Sequence, residues 1–167
     1  RVAGGEASRL SVADGLPDDL CTAVVSSRDG SVWVGTNGGV ARVDRDRVVA
    51  TVTPRDGLPD PFVRALWEDR QGSLWIGTED SGLSRFAGGV VTTFGARQGL
   101  TSDYVRSGAE DREGSLWVGT NSGLNQLHTG KVVVYTTLDG LPHDFARTIL
   151  ADRDGSIWIG TDGGGVA

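Results

Sequence analysis

The sequence predicts an all-β chain, a β-propeller of four-stranded antiparallel blades, and three observations predict it. The first is a stretch that recurs four times, Gly-Ser, an aliphatic residue, Trp, Val or Ile, Gly, Thr, at residues 30–36, 72–78, 114–120 and 155–161. Its tryptophans, Trp33, Trp75, Trp117 and Trp158, are spaced 42, 42 and 41 residues apart. A fixed period of that size marks a repeat architecture. The second is glycine, 26 of 167 residues, far above the usual share and a sign of many tight turns. The third is that every repeat holds short β-rich runs of the length that hairpins favour.

Taken in order, each repeat opens on a turn: Asp14-Gly15-Leu16-Pro17, Asp56-Gly57-Leu58-Pro59, Gln98-Gly99-Leu100-Thr101 and Asp139-Gly140-Leu141-Pro142. Gly supplies positive φ there, and Pro cannot sit in a central strand. A first strand follows at 20–26, 62–68, 104–110 and 145–151. It ends in Arg28-Asp29-Gly30, Arg70-Gln71-Gly72, Arg112-Glu113-Gly114 or Arg153-Asp154-Gly155, polar turns that read as hairpins. The Trp stretch is the second strand. A third is predicted at 40–43, 83–86 and 124–127, and a fourth at 48–52, 90–94 and 132–136. Four-stranded units at this period are propeller blades. The blades divide as 14–55, 56–97, 98–138 and an incomplete 139–167, with 1–13 as an outer strand completing the last.

A blade is apolar on both faces and must stack on its neighbours. Trp33, Trp75, Trp117 and Trp158 are therefore assigned to inter-blade packing, a gross ~4–6 kcal/mol of burial per ring. The Gly two residues after each Trp leaves room for a neighbouring chain. Trp67 has no counterpart in the other repeats, whose equivalents are Val25, Ala109 and Leu150. It is expected to fill one particular interface.

The motifs resemble a known repeat. Asp-Gly-Leu-Pro, then Val-Arg-x-x-x-x-Asp-Arg-x-Gly-Ser-Leu-Trp-Ile-Gly-Thr, then Ser-Gly-Leu, is similar to the two-component-regulator propeller repeat, best at 64–78 and 106–120. The resemblance implies a sensing or binding surface of the kind found in extracytoplasmic sensors of hybrid histidine kinases, many of which respond to oligosaccharides. It also implies a periplasmic or extracytoplasmic location. The β-sandwich, membrane helix and kinase module of those proteins have no counterpart in these residues, so signalling activity does not carry over.

Composition narrows the partners. A net charge of −6 argues against nucleic acid, and no apolar run is long enough for membrane insertion. With no Met at all, the residues read as part of a longer gene product. Cys21, the single cysteine, allows no internal disulfide and aligns with Val63, Val105 and Ala146, which makes it a small core residue. No metal site is expected. Asp152-Arg153-Asp154-Gly155-Ser156 begins like a calcium loop but lacks the Glu at the twelfth position. Asp162-Gly163-Gly164-Gly165 precedes no helix and is no phosphate loop. No cofactor is implied.

The binding candidates are Arg64, Arg106 and Arg147, which occupy one place in the first strand, with Thr22 in the remaining copy. Asp19, Asp103 and Asp144 stand just before them, with Pro61 in the remaining copy. Propeller geometry puts this place on the rim of the channel. A ring of Arg there suits carboxylate or sugar hydroxyls; an Asp–Arg ion-pair ring lining the channel is the alternative. Three functions follow: a non-catalytic ligand-sensing module for an oligosaccharide or small acid, an engineered or excised scaffold without a ligand, and a propeller enzyme resembling streptogramin lyase. The last needs acid–base residues that break the symmetry, and His143 is the one candidate; His128 stands in another repeat.

The chain ends continue each other. Gly165-Val166-Ala167 match Gly82-Leu83-Ser84, and Arg1-Val2-Ala3-Gly4-Gly5 match Arg85-Phe86-Ala87-Gly88-Gly89. Closure on itself gives a four-bladed ring, and closure on a second copy gives eight blades. The third possibility is a segment of a longer chain. The bulky Trp stack and the unpaired edges favour the head-to-tail dimer.

Overall fold

A computed structural model describes residues 2, 3 and 6–167. The described chain is all-β apart from four one-turn helices. It opens with a two-stranded hairpin, β1 (Val2–Ala3) and β2 (Glu6–Ala7). Blade 1 is β3 (Cys21–Ser26), β4 (Val32–Thr36), β5 (Gly39–Asp44) and β6 (Arg47–Val52). Blade 2 is β7 (Val63–Glu68), β8 (Leu74–Thr78), β9 (Leu83–Ala87) and β10 (Val90–Phe94). Blade 3 is β11 (Val105–Glu110), β12 (Leu116–Thr120), β13 (Gly123–His128) and β14 (Lys131–Tyr135). Two further strands, β15 (Ala146–Ala151) and β16 (Ile157–Thr161), form the inner half of blade 4. Strands within each sheet pair with their sequence neighbours, all antiparallel.

The turn between blades is tighter than the sequence suggests. It is a one-turn 3-10 helix, Val12–Asp14, Pro54–Asp56, Ala96–Gln98 or Thr137–Asp139. The Asp56 carboxylate accepts from the Thr53 N–H at 2.9 Å, which closes a capping box. Gly57 follows at φ 96°, the left-handed conformation that ends the turn and drops Leu58 into the core.

The blades stack through their inner strands. The principal contacts between blades run β3 to β7 to β11 to β15, and each second strand also meets the first strand of the next blade. The first strands therefore form the inner edge of an arc. The apolar core lies between blades: Trp33 with Val63, Leu74 and Ile76, and Trp75 with Val105, Leu116 and Val118. The third interface joins Trp117 and Leu124 to Ala146 and Ile159. At the Trp-x-Gly glycines the next blade comes close. A Cβ at Gly35 would meet Val63 Cγ1 at 2.7 Å, and one at Gly77 would meet Val105 Cγ1 at 2.5 Å.

The tryptophans differ by place in the arc. Trp33 and Trp75 are buried and Trp117 is half-buried. Trp158, 48% exposed, has no following blade in this chain to cover it. The same reason corrects the reading of Cys21 as a core residue. Val63, Val105 and Ala146 are fully buried against a preceding blade, whereas Cys21 is exposed because blade 1 has none. Trp67 stacks on Trp75 at 6.2 Å and lies against Gly108 of blade 3, where a Cβ would strike its ring. Its Nε1–H is buried without a partner. β1–β2 and β15–β16 are separate two-stranded sheets, so the outer hairpin does not complete blade 4 within this chain. Of the residues matched across the chain ends, Arg1, Gly4 and Gly5 lie outside the described residues.

Candidate functional site

Each first strand carries the same irregularity. The register slips between Cys21 and Ala23, Val63 and Ala65, Val105 and Ser107, and Ala146 and Thr148. The residue skipped is Thr22, Arg64, Arg106 or Arg147. A bulge of this kind leaves one residue without a ladder partner and re-aims its side chain. Arg64, Arg106 and Arg147 thereby line one cavity of about 230 Å³ at the inner edge, with Tyr104 and Thr148. Nothing in the sequence announces the bulges: Val63 to Glu68 alternates apolar and polar without a break.

Each arginine is held by the residue 15 positions on, just past the Trp strand. Arg64 pairs with Glu79 and donates to Asn37 Oδ1 of blade 1 at 2.9 Å. Arg106 donates through Nε to Asn121 Oδ1, and Arg147 pairs with Asp162 at 3.0 Å. Two arginines thus face carboxylates, while Arg106 faces a neutral amide. The Arg106 guanidinium lies 4.6 Å from the Tyr104 ring centre and 5.8 Å from that of Phe145. Burial works against the charge of Arg64, but its bonds to Glu79 and Tyr104 outweigh this and hold its pKa above the usual value. The site therefore keeps one cation in excess, and Arg106 supplies it. Thr22, in the fourth place, instead donates to the Val63 carbonyl at 2.7 Å and ties blade 1 to blade 2.

The aspartates named with the arginines stand elsewhere. Asp19, Asp103 and Asp144 accept from the backbone N–H of Val12, Ala96 and Thr137 at 2.8, 2.7 and 2.6 Å. They fasten the 3-10 turns and do not line the cavity. His143 has a similar backbone role. Its Nδ1 accepts from the Phe145 N–H at 3.0 Å, as Asp60 Oδ1 does from Phe62 in blade 2. His128 Nδ1 lies 3.0 Å from the Ser115 hydroxyl on blade 3. Among the described residues no cluster of His, Cys, Asp or Glu has metal-ligand geometry.

One recurring pair escaped the sequence reading. Asp69 Oδ2 accepts from the Trp75 indole N–H at 2.9 Å, and Asp111 Oδ2 from that of Trp117 at 2.8 Å. Asp six residues before Trp was the available signal, and Asp152 before Trp158 repeats it. These carboxylates also accept from the N–H groups of the polar turn, which is why the calcium-like Asp-Arg-Asp-Gly run is a hairpin anchor.

The fold and site have known relatives. A family model described as "Two component regulator propeller" matches residues 57–80, 99–122 and 140–163. No curated protein matches the chain. The extracellular domain of a protein described as a hybrid two component system of B. thetaiotaomicron is similar, at 25% identity and TM-score 0.77 over 85% of this chain. So is that of one described as a one component system of the same organism, at 27% identity and TM-score 0.74 over 91%. The match covers 20% and 21% of those chains, so this chain spans about a fifth of their length. A streptogramin B lyase matches at 19% identity and TM-score 0.69 over 87% of this chain and 49% of its own, a likeness of fold alone. No helix among the described residues is long and apolar enough to cross a membrane. The repeats of this chain are two-component-regulator propeller repeats, and they build a propeller domain like the extracellular sensor domains of two-component systems.

Proposed function

We propose that this chain is a non-catalytic sensing and binding module, exposed outside the cytoplasm, that takes a carboxylate-bearing sugar or other small acid at the arginine row. The observation that carries the reading is the bulge, which brings Arg64, Arg106 and Arg147 to one cavity with one guanidinium free of carboxylate. A planar guanidinium on a neutral amide keeps donors for a bidentate carboxylate. The flanking Tyr104 and Phe145 rings supply apolar walls of the sort that ligand sites use. At about 230 Å³ the cavity is smaller than the ~300–1,000 Å³ of whole-ligand pockets, so it fits the acidic end of a longer ligand. The backbone role of His143 supports the non-catalytic reading over a lyase-like one.

Calorimetric titration with glucuronate and galacturonate oligomers, beside neutral glycans of equal length, tests the proposal. Saturable heat with the acidic oligomers, weakened by added salt, is the expected result. No heat from any acidic glycan or small acid would leave a scaffold without a ligand.

A further inference from the structure

The two ends of the arc carry matching halves of an interface that the chain forms three times internally. At each internal junction the Trp face of one blade covers the next blade's inner strands: Trp33 meets Phe86 edge-on at 6.1 Å, with Val63, Leu74 and Ile76 beneath. In blade 1 the equivalent places are Val43, Cys21, Val32 and Val34. With Val24, 68% exposed, they line an open cavity of about 580 Å³. At the other end, Trp158 and Leu150 are exposed as the uncovered counterpart of Trp33 and Val25.

Three further features fit the two ends together. The β1–β2 register, Val2 opposite Ala7, is the outer-hairpin register of blade 2, Phe86 opposite Val91. The β15–β16 register, Ala146 opposite Thr161, is the inner-hairpin register, Val63 opposite Thr78. The chain therefore begins with the outer half of a blade and ends with an inner half, and Ala167 already pairs with Ile159 as the start of a third strand. A chain of arginines also runs along the hairpin turns. Arg28 donates to the carbonyls of Asp69 and Arg70, and Arg70 to that of Arg112. Carried round by one interface, Arg153 meets the carbonyls at Ser27 and Arg28.

We propose that the Cys21–Val24–Val32–Val34 face of blade 1 receives the Trp158 face of a second copy of this chain, head to tail, with β1–β2 of one copy completing blade 4 of the other. The occupant is a second copy because the receiving face repeats, position for position, faces that already bury a Trp-bearing blade of this kind. Cys21 takes the place of Val63 against Gly35, so it packs on Gly160 of the other copy and leaves solvent. The inference rests on the propeller fold and is independent of the arginine cavity.

Light scattering at micromolar concentration, read with the reactivity of Cys21 toward an aromatic disulfide, tests it. The expected mass is about twice 17.5 kDa, with Cys21 labelled at least ~10-fold more slowly than in the unfolded chain. Trp158→Glu and Val24→Glu change side chains that are exposed in the single chain. Each is expected to give a folded monomer, by circular dichroism, with a reactive Cys21. A wild-type monomer with reactive Cys21 overturns the proposal, and so does an oligomer that both variants leave intact with Cys21 labelled freely. A mass change without change at Cys21 places the contact on another face and overturns it equally.

Discussion

Asp69 is a buried carboxylate with three N–H donors, those of Gln71, Ser73 and the Trp75 indole. Removing it leaves those donors unpaired inside the interface, so Asp69→Ala is expected to lower unfolding free energy by about 2–4 kcal/mol in urea. Trp75→Ala, which empties the interface itself, is expected to cost about 3–5 kcal/mol. Trp67→Phe should behave in the opposite way. It removes a buried N–H that has no partner, so stability is expected to stay within about 1 kcal/mol or to rise. The carboxylates also set a pH dependence. The Ser31 hydroxyl and N–H hold Asp29 at about 2, and the Thr53 N–H and hydroxyl hold Asp56 below its ordinary value. At Asp111 burial works to raise the pKa, but the Trp117 indole and the Ser115 and Glu113 N–H groups outweigh it. Folded values below unfolded ones mean that this stability is full above about pH 4 and is lost as the pH falls toward 2. A urea midpoint that does not fall between about pH 5 and pH 2.5 would contradict these bonds.

Within a blade, the Trp strand and the first strand of the next blade act as a unit, joined where Gly35 meets Val63 and Gly77 meets Val105. Gly77→Ala puts a methyl where Val105 already stands and is expected to cost about 1–3 kcal/mol, read from the urea midpoint. Much of this element was legible in the sequence. The four Trp stretches, the Asp-Gly-Leu-Pro turns and strand positions within a residue or two follow from period and turn chemistry. The bulges were not legible, because one unpaired residue changes neither the length nor the alternation of Val63 to Glu68. Nor were the partners of the arginines: Glu79, Asn121 and Asp162 lie across the sheet, and that distance closes only when the hairpin forms. Asp19, Asp103 and Asp144 misled as near neighbours of the arginines in sequence, since backbone N–H groups of the 3-10 turns had first claim on them.

At the scale of the whole chain, stability is a sum over blade contacts, and the blades are unequal. Blades 2 and 3 are each covered on both faces, whereas blade 1 and the β15–β16 hairpin are each open on one. In a single chain, hydrogen exchange is therefore expected to protect β7, β8, β11 and β12 longest and β15–β16 least. The binding row sits at the inner edge of the well-covered blades, with Arg147 at its less covered end. The central claim is that a ligand's carboxylate rests on the bulge arginines, with Arg106 as its chief contact. A crystal structure with a bound hexuronate oligomer tests this most directly. The account predicts its carboxylate on the Arg106 guanidinium, between Tyr104 and Phe145, with no comparable occupancy in the Arg106→Ala variant. A ligand seated instead at the opposite end of the strands, in the cavity of about 380 Å³ beside Arg28, Arg42 and Glu68, would contradict it.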